Sequence, residues 1–314
     1  MADMTRTKKV VLGCLAVPLV LVAVALLLSG VVFLWPTPEP RPVELTLGAS
    51  PTAGERAVAE VPQVDVELSE GEFHILAAEG DTCRAEGSFD GSAYALEVKE
   101  LAPGHMLVRF HRTLGPLASL ARLRLAGHGG RQMQNRVTVY LPTTYPIALR
   151  LRIRQGESKT DLTRVRLRKL DLDLAMGQHE VGFREPNPEP LERLVAKTRM
   201  GEFELSGLGY AGAREIEVSS TMGEHRIDFA GQLTAPAAAK FKLRMGELSV
   251  RVPAAMDVAT KPAAVVMGSF QTLRASAGSS GPVVERSERA GEESTPTATL
   301  TLAFDVMMGE ATLR

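Results

Sequence analysis

The sequence predicts an all-β fold: a repeat β-solenoid, β-helix-like, with rungs of about 22 residues, preceded by one N-terminal transmembrane helix. Three observations predict it. A short phrase recurs as AMGQHEVGF, RMGEFELSG, TMGEHRIDF, RMGELSVRV, VMGSFQTL and MMGEATLR. Alternating apolar and polar runs surround it, the period-two signature of strands with one buried face. Helical periodicity is nearly absent after residue 62. The glycines Gly156, Gly177, Gly201, Gly223, Gly246 and Gly268 follow one another at 21, 24, 22, 23 and 22 residues, a period in the range of solenoids.

At the N-terminus, Arg6, Lys8 and Lys9 precede 26 uncharged residues from Val10 to Trp35. At about 1.5 Å per residue such a run crosses a hydrocarbon core of roughly 30 Å. Basic residues lie before it, and only Glu39 and Arg41 carry the first charges after it. The positive-inside bias therefore puts residues 1–9 in the cytoplasm and the rest outside the cell membrane, as a single-pass protein. Ala23-Val24-Ala25 resembles a signal-peptidase site, and Val11-Leu12-Gly13-Cys14 a lipoprotein box. The apolar run continues ten residues past Ala25, however, and Cys14 follows Lys9 by only five, so a retained anchor over residues 10–35 is expected. Cys14 would then lie in the bilayer and Cys83 outside it, which excludes a disulfide between them. A net charge of −1 gives no global attraction to nucleic acid.

Residues 36–62 are rich in proline and read as an extended linker. Residues 63–155 form an N-terminal β part with alternating runs such as VDVEL, HMLVRFH, NRVTVYLP and IALRLRIR. Within it, LGPLASLARLRLAG reads either as a short helix or as a strand and loop. The repeats occupy 156–314, each with the grammar strand, Met-Gly-Glu, strand. Counting Gly71 and Gly309, eight glycines hold the bend position, which points to torsions or close approaches that a Cβ would obstruct. Two and four residues after each glycine stand two mostly apolar columns, from Phe73 and Ile75 to Ala311 and Leu313. They share one strand face and are expected inside the coil, each rung burying itself against its neighbours. Residues 276–297, rich in Ser, Gly, Glu and Pro, read as a disordered loop. The last segment then reads as a terminal rung whose free edge suits a partner or a second copy.

At GESKTDLTRVRLRKLDLDLAMGQHEVGF the glycine-bounded Leu-Asp-Leu rungs resemble the bacterial toast-rack and putative-adhesin β-solenoid families. They are also similar to the C-terminal domain of LiaF-type cell-wall-active antibiotic response proteins. The resemblance covers roughly residues 63 to 314 and is strongest from Ile147 to Leu273. It implies a membrane-associated β-helical domain of the bacterial envelope, in families linked to envelope-stress signalling, and brings no catalytic residues. LiaF-type proteins usually have several membrane spans where this chain has one.

Several constellations remain. Glu72, Glu157, Glu202, Glu224, Glu247 and Glu310 follow the repeat glycines as an acidic column; it reads as a solvated face, with Ca²⁺ the alternative. His179 and His225 share a column with Phe203 between them and read as core histidines, leaving no metal site. The methionines Met176, Met200, Met222, Met245, Met267 and Met308 read as adaptable packing at the bend, with a soft-metal site the alternative. Arg150, Arg152 and Arg154 alternate along one expected strand and Arg164, Arg166 and Arg168 along the next. Guanidinium groups suit phosphate and carboxylate, so these six form a candidate face for an anionic envelope polymer or an envelope protein. Motifs of nucleophile, nucleotide loop and metal site are missing from the sequence, and no cofactor is expected. The expected function is thus a non-enzymatic, membrane-anchored, extracytoplasmic binding or sensing domain; the alternative is a structural, adhesin-like protein that self-associates through its C-terminal strand.

Overall fold

The computed structural model describes residues 42–49, 61–114, 134–272 and 299–314. The expected anchor over 10–35, the loop at 276–297 and nearly all of the ambiguous stretch after Leu114 lie outside the described residues. Among the described residues no helix is long and apolar enough to cross a membrane.

The structure is all-β. In chain order the strands are β1 (Pro42–Ala49), β2 (Gln63–Ala78), β3 (Cys83–Asp90), β4 (Tyr94–Ala102), β5 (His105–Arg112), β6 (Arg136–Pro142), β7 (Ile147–Asp161), β8 (Leu167–Gly182) and β9 (Arg193–Ser206). A four-residue helix, α1 (Leu208–Ala211), follows, and then β10 (Glu215–Asp228), β11 (Ala237–Arg251), β12 (Asp257–Thr260), β13 (Ala264–Thr272) and β14 (Thr299–Leu313). All fourteen strands belong to one sheet. By contacts the chain divides into two units. In the described part of the first, Thr113 N donates to Ala93 O at 2.8 Å and the Arg112 guanidinium lies 5.6 Å from the Tyr94 ring centroid. The second unit holds the features discussed below.

Its organising feature is a run of parallel pairings, β2 with β7, then β8, β9, β10, β11, β14 and β13, with the repeat glycines of every neighbouring pair in register. Each glycine has positive φ, from 124° at Gly156 to 152° at Gly71. A Cβ on Gly201 would lie 2.0 Å from the carbonyl oxygen of Gly177, and one on Gly177 would lie 1.7 Å from that of Gly156. Backbone thus packs on backbone along the whole column, and only glycine supplies both the torsion and the space.

The chain bends sharply at this column. In β10, Ser220 Oγ hydrogen-bonds His225 Nε2, two side chains five residues apart. A straight strand would hold their backbones about 16 Å apart at ~3.3 Å per residue, so both must sit inside a corner. Burial agrees: in β9, Leu194, Ala196 and Thr198 are buried before the corner and Phe203 and Leu205 after it, while Arg199, Met200 and Glu202 are exposed. The two columns after the glycine are interior in every rung from β2 to β11 and in β14. Return segments between consecutive parallel strands from β7 to β11 span only five to ten residues. They are shorter than the usual crossover of a dozen or more, because the bent strand itself carries the chain part of the way back. They add Phe183, Leu191, Leu208, Phe229 and Leu233 to the core.

Four expectations need correction. Pro42–Ala49, placed in the linker, is a strand; the alternation of Val43, Leu45 and Leu47 outweighs the surrounding prolines. The division at 155/156 falls inside β7, because Gly71 of β2 already pairs with Gly156 as a rung. Arg164 and Arg166 do not alternate along a strand: Asp161 accepts a hydrogen bond from Thr163 N at 3.0 Å and starts a turn in which Arg164 has φ 68°. Arg168 sits at a register shift between β7 and β8.

The fourth correction concerns the end of the stack. β14 is not terminal; it lies between β11 on one side and β12 and β13 on the other. Its inward residues Leu300, Leu302, Phe304 and Val306 are all buried, and Phe304 lies 5.2 Å from Phe241 and 4.8 Å from Phe270 between ring centroids. The segment between β12 and β13 carries the exposed Lys261 and Pro262, which lacks a ladder donor. Such a segment fits an edge and not an interior rung. Among the described residues the free edge is therefore formed by β12 and β13 and not by the C-terminal strand.

At the other end, β2 is covered by two strands. β5 pairs with Gln63–Leu68 and β6 with Glu72–Ala78; β3 then pairs antiparallel with β6. Phe73, Phe89 and Phe110 close this end through edge-on ring contacts of 5.2 and 6.2 Å.

Candidate functional site

Three outward features and one inward seam carry chemistry. The first is the arginine group. Arg152 Nη1 donates to Glu67 Oε1 at 2.9 Å, and Glu67 also faces Arg109 at 3.6 Å. Arg164 meets Glu185 at 3.4 Å; Arg166 pairs with Glu189 and donates to Thr144 O at 3.0 Å; Arg168 reaches Glu189 at 3.8 Å. The structure thus separates the six candidates. Arg150, Arg152 and Arg154 lie along β7, between Asp65 and Glu67 of β2 and Asp171 and Asp173 of β8, while the other three belong to a turn and a bulge. Of these six, Arg150 and Arg154 have no ion pair among the described residues. Similar cross-strand charge pairing recurs where Glu217 bridges Arg193 and Lys242 at 3.3 and 2.7 Å. The hydrogen bond from Lys242 holds the Glu217 carboxyl below its ordinary range.

The second feature is the outer corner. Met176, Met200, Met222, Met245, Met308 and Met267 lie in register on six neighbouring strands and are 39% to 62% exposed. The expectation that they pack at the bend is overturned. The phase of the alternation explains why. Inward positions stand seven, five and three before the glycine but two and four after it, so the alternation slips by one residue at the corner and the methionine is turned outward. Glu202, Glu247 and Glu310, exposed, and Glu224, half-buried and paired with Arg226, flank the methionines as a column. Arg199, next to Met200, meets Asp173 at 3.5 Å. Among the described residues no three His, Cys, Asp or Glu side chains converge.

The third feature is the free edge. Val265, Val266 and Met267 of β13 are exposed, Val266 at 77%, and Met307 beside them on β14 is exposed as well. With Met308 and Met245 they make an apolar patch around the corner of the last rung. Neither the edge nor its apolar character was read from the sequence. Lys261 and Pro262 were the available signal.

The inward seam runs along the corner. Ser158 Oγ hydrogen-bonds His179 Nδ1 at 2.9 Å and Ser220 bonds His225. Thr160 Oγ1, Thr198 Oγ1, His179 Nε2 and His225 Nδ1 are buried without a side-chain hydrogen-bond partner among the described residues. Burial pushes both imidazoles down to about 4, against small opposing effects from the Met176 backbone and the Glu224 charge, so both are neutral near pH 7. Cys83 is also buried, which pushes its thiol up to about 12 and leaves it protonated.

No family model matches this chain and no curated protein does so significantly. Solved structures similar to it include a putative cell adhesion protein from Clostridium sporogenes, at 13% identity over 87% of this chain and 99% of that one, with a TM-score of 0.37. A putative adhesin from Bacteroides fragilis matches at 11% identity over 88% and 99%, TM-score 0.36. One from Parabacteroides merdae matches at 10% over 86% and 96%, TM-score 0.28.

Proposed function

We propose that this chain is a β-solenoid tethered to the cell membrane by residues 10–35 and facing outward, which acts by docking a protein partner and not by catalysis. The observation that carries this reading is the free edge of β12 and β13 with Val265, Val266 and Met267 exposed beside it. An unpaired parallel edge with an apolar rim offers both main-chain hydrogen bonds and buried area to an added strand. At the opposite end of the stack β5 and β6 cover β2 itself, and the sheet continues to β1 and β4 as its edges there. The arginine group supports an anionic-polymer reading less well, since four of its six members are already paired with carboxylates.

The glycine column makes this edge selective. Throughout the stack a Cβ at the bend would sit 1.7 to 2.0 Å from the neighbouring glycine oxygen, and Gly268 presents the same surface outward. A strand added in parallel register must carry glycine opposite Gly268. An adhesin-like second reading has two copies meeting at this edge; a two-fold axis would pair their β13 strands antiparallel, outside the parallel glycine requirement.

A photo-crosslinking residue at Val266 of the full chain in its native membrane, followed by mass spectrometry, tests the proposal. A dominant heterologous protein, lost when Val265 and Val266 are changed to Lys, supports docking. Crosslinks only between copies support self-association. No crosslinks above those of a probe placed on β9 would refute both.

A further inference from the structure

Seven of the chain's 12 methionines stand at one exposed corner, six of them as a ladder with one per strand and Met307 beside it. Isolated exposed apolar side chains are ordinary, but six in register are not. If bulk were the only requirement, Leu, Ile or Val would serve, as they do in most inward positions of the same strands. The property these positions share is a thioether sulfur at the end of a flexible, unbranched side chain.

Thioethers are soft ligands that select monovalent soft ions such as Cu(I) over Mg²⁺ and Ca²⁺. Neighbouring strands lie about 4.8 Å apart. Two sulfurs sharing one ion through bonds of about 2.3 Å, the length of zinc–thiolate bonds, also lie about 4.6 Å apart. Adjacent methionines can therefore hold one ion between them without backbone movement; a third, on a strand about 9.6 Å from the first, reaches the same ion by swinging its flexible side chain toward the middle strand. The ladder is densest where Met245 of β11, Met308 of β14 and Met267 of β13 pair in succession, with Met307 adjacent. Glu247 and Glu310, which have no ion pair among the described residues, follow the glycines on the same two strands. Their charge favours a cation nearby, whereas the absence of converging His, Cys, Asp or Glu among the described residues leaves sulfur as the distinguishing ligand. Cys83, the cysteine most suited to compete among the described residues, is buried and protonated.

We infer that the methionine ladder is a binding site for soft monovalent metal, Cu(I) or its stable analogue Ag(I), with its principal point at Met245, Met308 and Met267.

The test is a titration of the full chain, labelled with carbon-13 at the methionine methyls, with Ag(I), followed by Cu(I) under reductant. The ladder methyls are expected to shift while those of buried Met106 and Met256 stay in place. Met245→Leu, Met267→Leu and Met308→Leu together keep an apolar corner and the fold, and are expected to abolish tight Ag(I) binding. Unchanged Ag(I) affinity in that variant, no shift of the ladder methyls, or equal shifts with Ca²⁺ or Zn²⁺ would each overturn the inference. Partner capture through Val266 is read separately, so loss of metal binding and loss of docking are distinguishable.

Discussion

The glycine at the corner bears the tightest constraint in the molecule, and substitutions there separate torsion from space. Gly201 has φ 124° and a Cβ on it would meet the Gly177 oxygen at 2.0 Å, so Gly201→Ala forces two strands apart in mid-stack. Gly80 has φ 113° with nothing within 4 Å of its notional Cβ, so Gly80→Ala carries only the torsional cost. Urea unfolding is expected to show a loss of about 4 kcal/mol for the first, as for the severe core lesions, and about 1–2 kcal/mol for the second. Equal losses would mean that stacking contributes nothing to the requirement. The buried histidines make a second prediction at this scale. Their folded pKa lies near 4, below the ordinary value of about 6.5. The unfolded chain therefore takes up protons first as pH falls, and stability declines from about pH 6.5 toward pH 4. The slope approaches about 1.4 kcal/mol per pH unit for each histidine. His225→Phe copies the Thr198–Phe203 arrangement of the preceding rung and is expected to remove its share of that slope. Denaturation curves at several pH values would show this, and an unchanged slope would exclude His225 as a source.

Among the elements, β14 shows where sequence reading stops. The strand itself, its inward Leu302, Phe304 and Val306 and its register at Gly309 follow from the repeat. Its neighbours do not, because a period fixes the content of a rung and not the order in which rungs stack. The 26 residues between Thr272 and Thr299 are long enough for the chain to leave one rung vacant and return to fill it. Similarly, the columns after each glycine were legible as interior, but the outward turn of the methionines depends on a phase slip that shows only when both arms are counted from the glycine. The arginines after Asp161 looked like a strand because alternation was read through a turn whose cue, Asp161 ahead of Thr163, is weaker than the pattern it interrupts. Placing β14 between β11 and β13 has a measurable consequence. Removing residues 299–314 takes away the strand to which β12 and β13 are bonded and bares the interior of β11. Hydrogen exchange is expected to show β12 and β13 losing all protection while β7 to β9 keep theirs. Retained protection in β13 would mean that it had re-paired with β11.

On the scale of the whole molecule, the two ends of the parallel run differ: β2 is covered by β5 and β6, whereas β13 has β14 alone among the described residues, and this asymmetry governs how the stack should fail. In a repeat array each rung is stabilised by its neighbours, so stability is roughly a sum of rung and interface contributions. Interior rungs such as β9 have partners on both sides, whereas β13 has one among the described residues. Its inward side chains are also poorly covered, with Val265 exposed and Phe270 only half-buried. The same steric lesion should therefore have different reach at the two positions. A Cβ on Gly268 would lie 1.8 Å from the Gly309 oxygen, as close as any in mid-stack. Yet Gly268→Ala can release its strain by detaching β12 and β13 alone, while Gly201→Ala has no such outlet. The expected result is that Gly268→Ala leaves the main urea transition within about 1 kcal/mol of the unaltered chain, since local openings span from near zero to the global value. Exchange would quicken only in β12 and β13, and crosslinking through Val266 would fall. If Gly268→Ala instead lowered the main transition as far as Gly201→Ala does, the last rung would be an integral part of the cooperative unit, and a site that opens and closes there to admit a partner strand would be untenable.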